Sequence, residues 1–138
     1  MIRTLDIEAR RENLDDVIGF IDALLEDSGC PMKTQLQTEL AVEEIFINIA
    51  SYAYEPDIGK AKISAGVSGE PPVMTMVFED SGVPYDPLAK EDPDITLPAK
   101  ERRVGGLGIL LVKKNMDDVK YEYRDGKNIL TLTKYINS

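Results

Sequence analysis

The chain has 138 residues, 43% of them hydrophobic, close to the usual size of one domain and with apolar material for one core. Sixteen Lys and Arg against 25 Asp and Glu leave a formal net charge of -9, a sign that repels nucleic-acid backbones and anionic lipid headgroups. Histidine is absent and Cys30 is the only cysteine, which excludes Ser-His-Asp and Cys-His mechanisms, an internal disulfide and a Cys/His zinc site.

Residues 2–7 set Ile2, Leu5 and Ile7 among charges, an imperfect alternation suited to an edge strand. From Leu14 the apolar positions Val17, Ile18, Ile21, Leu24 and Leu25 follow at helical spacing, with Asn13 placed to cap the start and Gly29 to end the helix. A second helix is expected over about 33–51, where Leu36, Leu40, Ile45 and Ile49 recur and no Gly or Pro interrupts. Its later half adds Ala41, Val42, Phe46, Ile47 and Ala50, so apolar residues nearly surround it and deep burial is expected.

Two strands, 61–67 and 73–79, flank the turn-forming run Ser68-Gly69-Glu70-Pro71-Pro72. Between Asp80 and Arg103 lie Pro84, Pro87, Pro93 and Pro98 among many charges, which reads as a long, mobile functional lid. A short helix over about 107–114 and a hairpin, 119–124 and 128–135, turning at Asp125-Gly126, complete the chain.

This order predicts an α/β (α+β) fold in a single domain over 1–138: a two-layer sandwich of a mixed, largely antiparallel sheet with helices on one face. No apolar run approaches the roughly 20 residues that span a bilayer, and the first residues are not a signal-peptide stretch. A cytoplasmic protein with no nucleic-acid or membrane partner is expected.

Three constellations bear on chemistry. Glu44 and Asn48 stand four residues apart, on one face of the second helix, where a carboxylate and an amide can manage a metal ion and a water. Asn48 lies among Ile45, Phe46, Ile47, Ile49 and Ala50, and a buried amide without a partner costs on the order of 1–3 kcal/mol, so a partner is expected. In Glu79-Asp80-Ser81-Gly82 a strand ends in an acid able to accept from an exocyclic amine, and Gly82 lets a flat ring approach the backbone; an ordinary D-x-G turn has the same appearance. Arg102-Arg103-Val104-Gly105-Gly106-Leu107-Gly108 opens a helix with free N–H groups and neighbouring cations, an anion site in form, although neither the P-loop nor the dinucleotide-binding glycine pattern fits.

In this order the Glu44/Asn48 helix, the Asp80/Gly82 turn, the long loop and the glycine turn resemble the N, G1 and G2 boxes of the GHKL ATPase/kinase superfamily, whose ATP-binding domains have the Bergerat fold. Within it the chain is most similar to the anti-sigma-factor serine/threonine kinases, from Glu12-Asn13-Leu14 through 40–54, 80–87 and 105–134. The resemblance implies ATP and Mg²⁺ as cofactors, with Glu44 as general base toward a protein hydroxyl and Asn48 as the metal ligand. It also implies that Asp80 reads adenine with Gly82 beside the ring, and that Arg103, Gly105, Gly106, Leu107 and Gly108 hold the phosphates. Tyr52 stands where the pattern often has His. Asn128 stands where a Thr commonly helps hold adenine, and it still offers a donor and an acceptor.

The partners implied are a sigma-factor-like regulatory protein, an antagonist protein substrate and a second copy of the chain, whose first strand has apolar residues to contribute to a homodimer. The same residues would also serve a binding module that sequesters a partner and transfers no phosphate. The catalytic domain of a sensor histidine kinase fits less well, since the chain has no histidine to phosphorylate.

Overall fold

The computed structural model describes residues 2–54, 57–89 and 106–136. Strands β1 (Ile2–Glu8), β2 (Lys60–Ser68), β3 (Val73–Asp80), β4 (Asp118–Arg124) and β5 (Lys127–Tyr135) form one sheet in the order β1-β2-β3-β5-β4. Helices α1 (Leu14–Asp27), α2 (Met32–Asn48) and α3 (Gly106–Asn115) cover one face.

The expected mixed sheet is antiparallel at every pairing. Two features of the connections explain this. Between β1 and β2 the chain travels out along α1 and back along α2, an even number of helices that returns it for antiparallel pairing. β3 and β4, whose connection includes α3, do point the same way, but the tight β4–β5 hairpin inserts β5 between them. That hairpin turns on Asp125 (φ 55°) and Gly126 (φ 77°), the two left-handed residues that a two-residue turn matched to strand twist requires.

Period-two alternation sends Ala61, Ile63 and Ala65 of β2, Met74, Met76 and Phe78 of β3, and Leu130 and Leu132 of β5 to the helical side, where all are buried. Val17, Ile21, Leu24 and Leu25 of α1 meet them from above. Helix α1 ends as expected at Gly29 (φ 69°): the Cys30 N–H donates to Leu25 O and the Gly29 N–H to Glu26 O, satisfying carbonyls the helix leaves open. Its start differs from expectation. Asn13 occupies the cap position, yet its amide donates to Glu8 O at 3.0 Å and makes no cap bond, because a short helical turn over Arg11–Asn13 already leads into the helix.

Helix α2 is rotated away from the expected stripe. Leu36 and Leu40 are 52% and 53% exposed, and the buried face runs Thr34, Gln35, Thr38, Ala41, Val42, Ile45, Phe46. The later half decides the rotation, since Val42 and Phe46 fill the core, and rigid helical geometry then carries Thr38 and Thr34 inward. Thr38 tolerates this because its hydroxyl donates to Thr34 O at 2.8 Å. Buried Lys134 of β5 fastens the helices to the sheet, donating to Gln37 Oε1 of α2 at 3.0 Å and to Asn115 O at the end of α3, where a cation also meets the negative end of the helix dipole.

Candidate active site

Asp80 is the last residue of β3, faces the helical layer and is 8% exposed. The strand register sets it directly opposite Asn128 of β5. Its Oδ1 accepts from the Gly82 N–H and from Asn128 Nδ2, both at 2.9 Å. Asn128 gives its second amide hydrogen to Val83 O at 2.9 Å, while its Oδ1 accepts from the Tyr85 N–H at 3.0 Å and from the Tyr121 hydroxyl. Burial pushes the Tyr121 phenol above its ordinary pKa; the Tyr85 backbone pulls it back and the charges of Asp86 and Asp80 push it up further, so it remains a donor at neutral pH. The donor and acceptor that Asn128 was expected to offer a base are thus both engaged within the protein.

The loop after Asp80 is fixed from the other side by the end of α2. There the helix widens into a π-type turn over Ile49–Ala53, which brings Ala53 O to the Val83 N–H at 3.0 Å. A Cβ on Gly82 would run into the Ala53 backbone, so the glycine is demanded by this close approach. Tyr54 completes the joint: its hydroxyl donates to Lys60 O at 2.6 Å and accepts from the Ser81 N–H at 2.7 Å, tying the start of β2 to the end of β3.

Glu44 and Asn48 do share a face of α2. Asn48 Nδ2 donates to Glu44 Oε1 at 3.0 Å, which gives the amide one partner, and among the described residues no hydrogen bond reaches Asn48 Oδ1 or Glu44 Oε2. Gly106, Leu107 and Gly108 form the first turn of α3, which packs against α2. A Cβ on Gly108 would overlap the Glu44 carboxylate, so this glycine lets the start of α3 close directly on the acid. Free N–H groups of a first helical turn favour anions there.

A recess of about 550 Å³, its open mouth included, lies between the end of α2 and the strands that carry Asp80 and Asn128. Asn48 lines it from α2, Asp80 from β3 and Asn128 and Leu130 from β5, with Ile45, Ile49 and Phe78 as apolar walls. Such a slot suits a flat heterocycle: greasy faces and one carboxylate at the end.

The histidine kinase-like ATPase domain family matches residues 7–134 of the chain. The chain belongs to this family. Among curated members, the serine/threonine-protein kinase BtrW of Bordetella bronchiseptica is 24% identical over 132 residues, covering 96% of this chain and 92% of that protein. The serine-protein kinase RsbW of Listeria monocytogenes is 29% identical over 146 aligned positions, with 97% and 87% covered. The anti-sigma F factor of a Thermoanaerobacter species is 32% identical over 99 residues, covering 71% and 68%. The antiparallel sheet with helices on one face accords with an ATPase domain of this family.

In this histidine kinase-like ATPase domain, Asn48, Asp80 and Asn128 converge on one recess, Glu44 joins through Asn48, and Gly82 and Gly108 are glycines because neighbouring groups occupy their Cβ space. Arg103 and Gly105 lie outside the described residues, as does the 90–103 part of the expected lid. Tyr121 is a site residue that none of the three sequence constellations includes. It lines the recess, and the alternation of β4 carries the signal, since Tyr121 and Tyr123 fall on the face shared with Asn128. Tyr52, the departure from His, also lines the recess and is 48% exposed. Among the described residues no three Asp, Glu, Cys or His side chains gather to hold a metal on their own.

Proposed function

We propose that this chain is an ATP-dependent serine/threonine protein kinase acting as an anti-sigma-type regulator, which binds a sigma-factor-like protein and phosphorylates a small antagonist protein. The observation that carries this reading is the Glu44–Asn48 pair, closed on by the start of α3, with Asn48 lining the same recess as Asp80. The serine kinases and the anti-sigma factor among its relatives support the same conclusion.

Asp80 Oδ2, which accepts no hydrogen bond among the described residues, takes the adenine amine, and the apolar walls hold the ring. The first turn of α3 presents its N–H groups to the phosphates, with Arg103 and Gly105 contributing from the segment before it. Asn48 Oδ1, which accepts no hydrogen bond among the described residues, is the oxygen offered to a cation. This sparse set fits Mg²⁺, which keeps most of its waters and completes its shell with substrate phosphates. When bound, the ion neutralises charge gathering on the phosphate oxygens.

Glu44 acts as general base through Oε2. The substrate hydroxyl oxygen bonds to the γ-phosphorus and its proton passes to Glu44, while the bond to the β-phosphate oxygen breaks and ADP leaves. ATP-dependent work on a protein partner suits the cytoplasm, and among the described residues no helix is long and apolar enough to cross a membrane. β1 is an edge of the sheet with Ile2 exposed, a surface available for the homodimer we include in this reading.

Labelled-phosphate transfer from ATP to a candidate antagonist tests the reading. Wild type should transfer, and Glu44→Gln should bind ATP but not transfer. ATP binding with no transfer by either protein would leave a binding module without kinase activity, and equal transfer by both would remove Glu44 as the base.

A further inference from the structure

We propose that Asn128 and Tyr121 act as positioning residues that set purine selectivity, holding the Asp80 carboxylate in the one orientation that reads a 6-amino group. The inference rests on the ATP-site reading above and goes beyond it. It assigns Asn128 a role on Asp80 in place of direct contact with the base, and it brings in Tyr121.

Asn has two donor hydrogens and two acceptor lone pairs. In Asn128 all four are committed: the donors to Asp80 Oδ1 and Val83 O, the acceptor to the Tyr85 N–H and the Tyr121 hydroxyl. Asn128 is 7% exposed, so these bonds are shielded from competing water. Nothing remains on its side chain for a nucleotide.

What this arrangement controls is the rotation of a carboxylate. Among the described residues both donors to Asp80, the Gly82 N–H and Asn128 Nδ2, meet Oδ1, so the group is held by one oxygen and presents the other. Selectivity follows from purine chemistry. Adenine carries an amino donor at position 6 and a bare acceptor at N1. A 6-oxopurine reverses both, with a carbonyl at position 6 and N1–H as the donor. A carboxylate able to swivel can move one ring atom along and accept from N1–H, whereas one pinned at Oδ1 meets the carbonyl oxygen and repels it. The loop enters the same network, because Val83 O and the Tyr85 N–H close on Asn128 from the segment that leaves the site. Tyr121 is the outer support: its hydroxyl, approaching from β4, keeps the Asn128 amide from turning over and exchanging its donor and acceptor ends.

The experiment compares ATP with ITP, which differ only in the 6-position group and the N1 proton it brings, by equilibrium binding to the full chain with Mg²⁺. Wild type should prefer ATP. Asn128→Ala should weaken ATP about tenfold and reduce the ATP-to-ITP preference at least about fivefold, as expected when a pinned charge-assisted bond is released. Tyr121→Phe removes one oxygen and keeps the ring, and it should shift the preference in the same direction by about twofold to threefold. Melting temperatures establish that each variant is folded. If Asn128→Ala does not fold, Tyr121→Phe alone decides. A parallel loss of both nucleotides, with the preference unchanged, overturns the inference and leaves the ATP site standing. A wild-type chain that binds neither nucleotide removes the ATP-site reading and this inference together.

Discussion

At one end of the recess Asp80 and Asn128 sit opposite each other on adjacent strands, in a network that also takes in Gly82, Val83, Tyr85 and Tyr121. On α2, Asn48 lines the recess and shares a single hydrogen bond with Glu44, and among the described residues each keeps an oxygen uncommitted. The first end is complete before any ligand arrives, which is what a recognition element needs, since ordering it costs nothing at the moment of binding. The second holds its capacity in reserve for charge that appears only with the triphosphate and the incoming hydroxyl. Affinity and turnover should therefore separate cleanly under mutation.

Glu44→Gln should show the largest effect. It keeps the shape and an oxygen for Asn48 but removes the base, so phosphate transfer should drop on the order of 10²- to 10⁴-fold while ATP affinity stays within about twofold. Asp80→Ala should do the reverse. Losing a charged acceptor at a desolvated site costs about 1.5–3 kcal/mol, or about 10- to 100-fold in ATP affinity, and transfer should return when ATP is raised to saturation. If Asp80→Ala lowers transfer at saturating ATP as strongly as Glu44→Gln does, the two ends are not separable.

Gly108→Ala sharpens the boundary between them. The new methyl must displace either the Glu44 carboxylate or the first turn of α3, and a base moved by a fraction of an ångström should slow transfer about tenfold or more. ATP affinity should fall less, because the recess around Asp80 is untouched. Gly82→Ala is the matching change at the base end. Its methyl meets the backbone of Ala53, so it should reduce stability by about 1–3 kcal/mol in thermal unfolding and weaken ATP, leaving the transfer rate at saturation near wild type.

The two ends also differ in how far the sequence announces them. Glu44 and Asn48 are legible because helix periodicity is local: four residues guarantee one face, and the bond between them follows. Asp80 is legible as the acid where a β-pattern stops. The engagement of Asn128 is not, since it depends on a register that pairs residues 48 positions apart and on a tyrosine from a third strand. The strands and their turns follow closely from alternation, glycine and proline. The rotation of α2 does not, because Leu36 and Leu40 outweigh Thr34 and Thr38 in any hydrophobic count, while the buried face is decided by which residues the sheet admits beside Val42 and Phe46. The mixed sheet fails for a like reason: insertion of β5 between β3 and β4 is a choice among topologies that no local pattern encodes.

The smallest expected effect comes from a change that should leave both ends alone. Asp22, on α1, faces Glu39 and Gln35 of α2, and its Oδ1 is buried with no hydrogen-bond partner among the described residues. Burial, then the hydrogen bond to Glu39 and the charge of Glu39, raise its pKa from the ordinary carboxylate value to about 6, with Gln35 pulling slightly the other way. The folded chain therefore holds a proton here that the unfolded chain has released. The associated stability is fully present below about pH 4, where both states are protonated, and it is lost as pH rises through about 6. Asn in place of Asp22 cannot titrate and can still donate to Glu39. The difference in unfolding free energy between Asp22→Asn and wild type should therefore grow with pH between about 4 and 6 and level off above it, in favour of the variant by on the order of 1 kcal/mol after solvent screening. Denaturant unfolding across that range measures it. ATP affinity and transfer at neutral pH should not change, because Asn48 and Glu44 are held by their own bond and by α3, not by the α1–α2 seam. A changed transfer rate in this variant would show that the seam sets the angle of α2, and that the apparent independence of the two ends depends on a helix neither end controls.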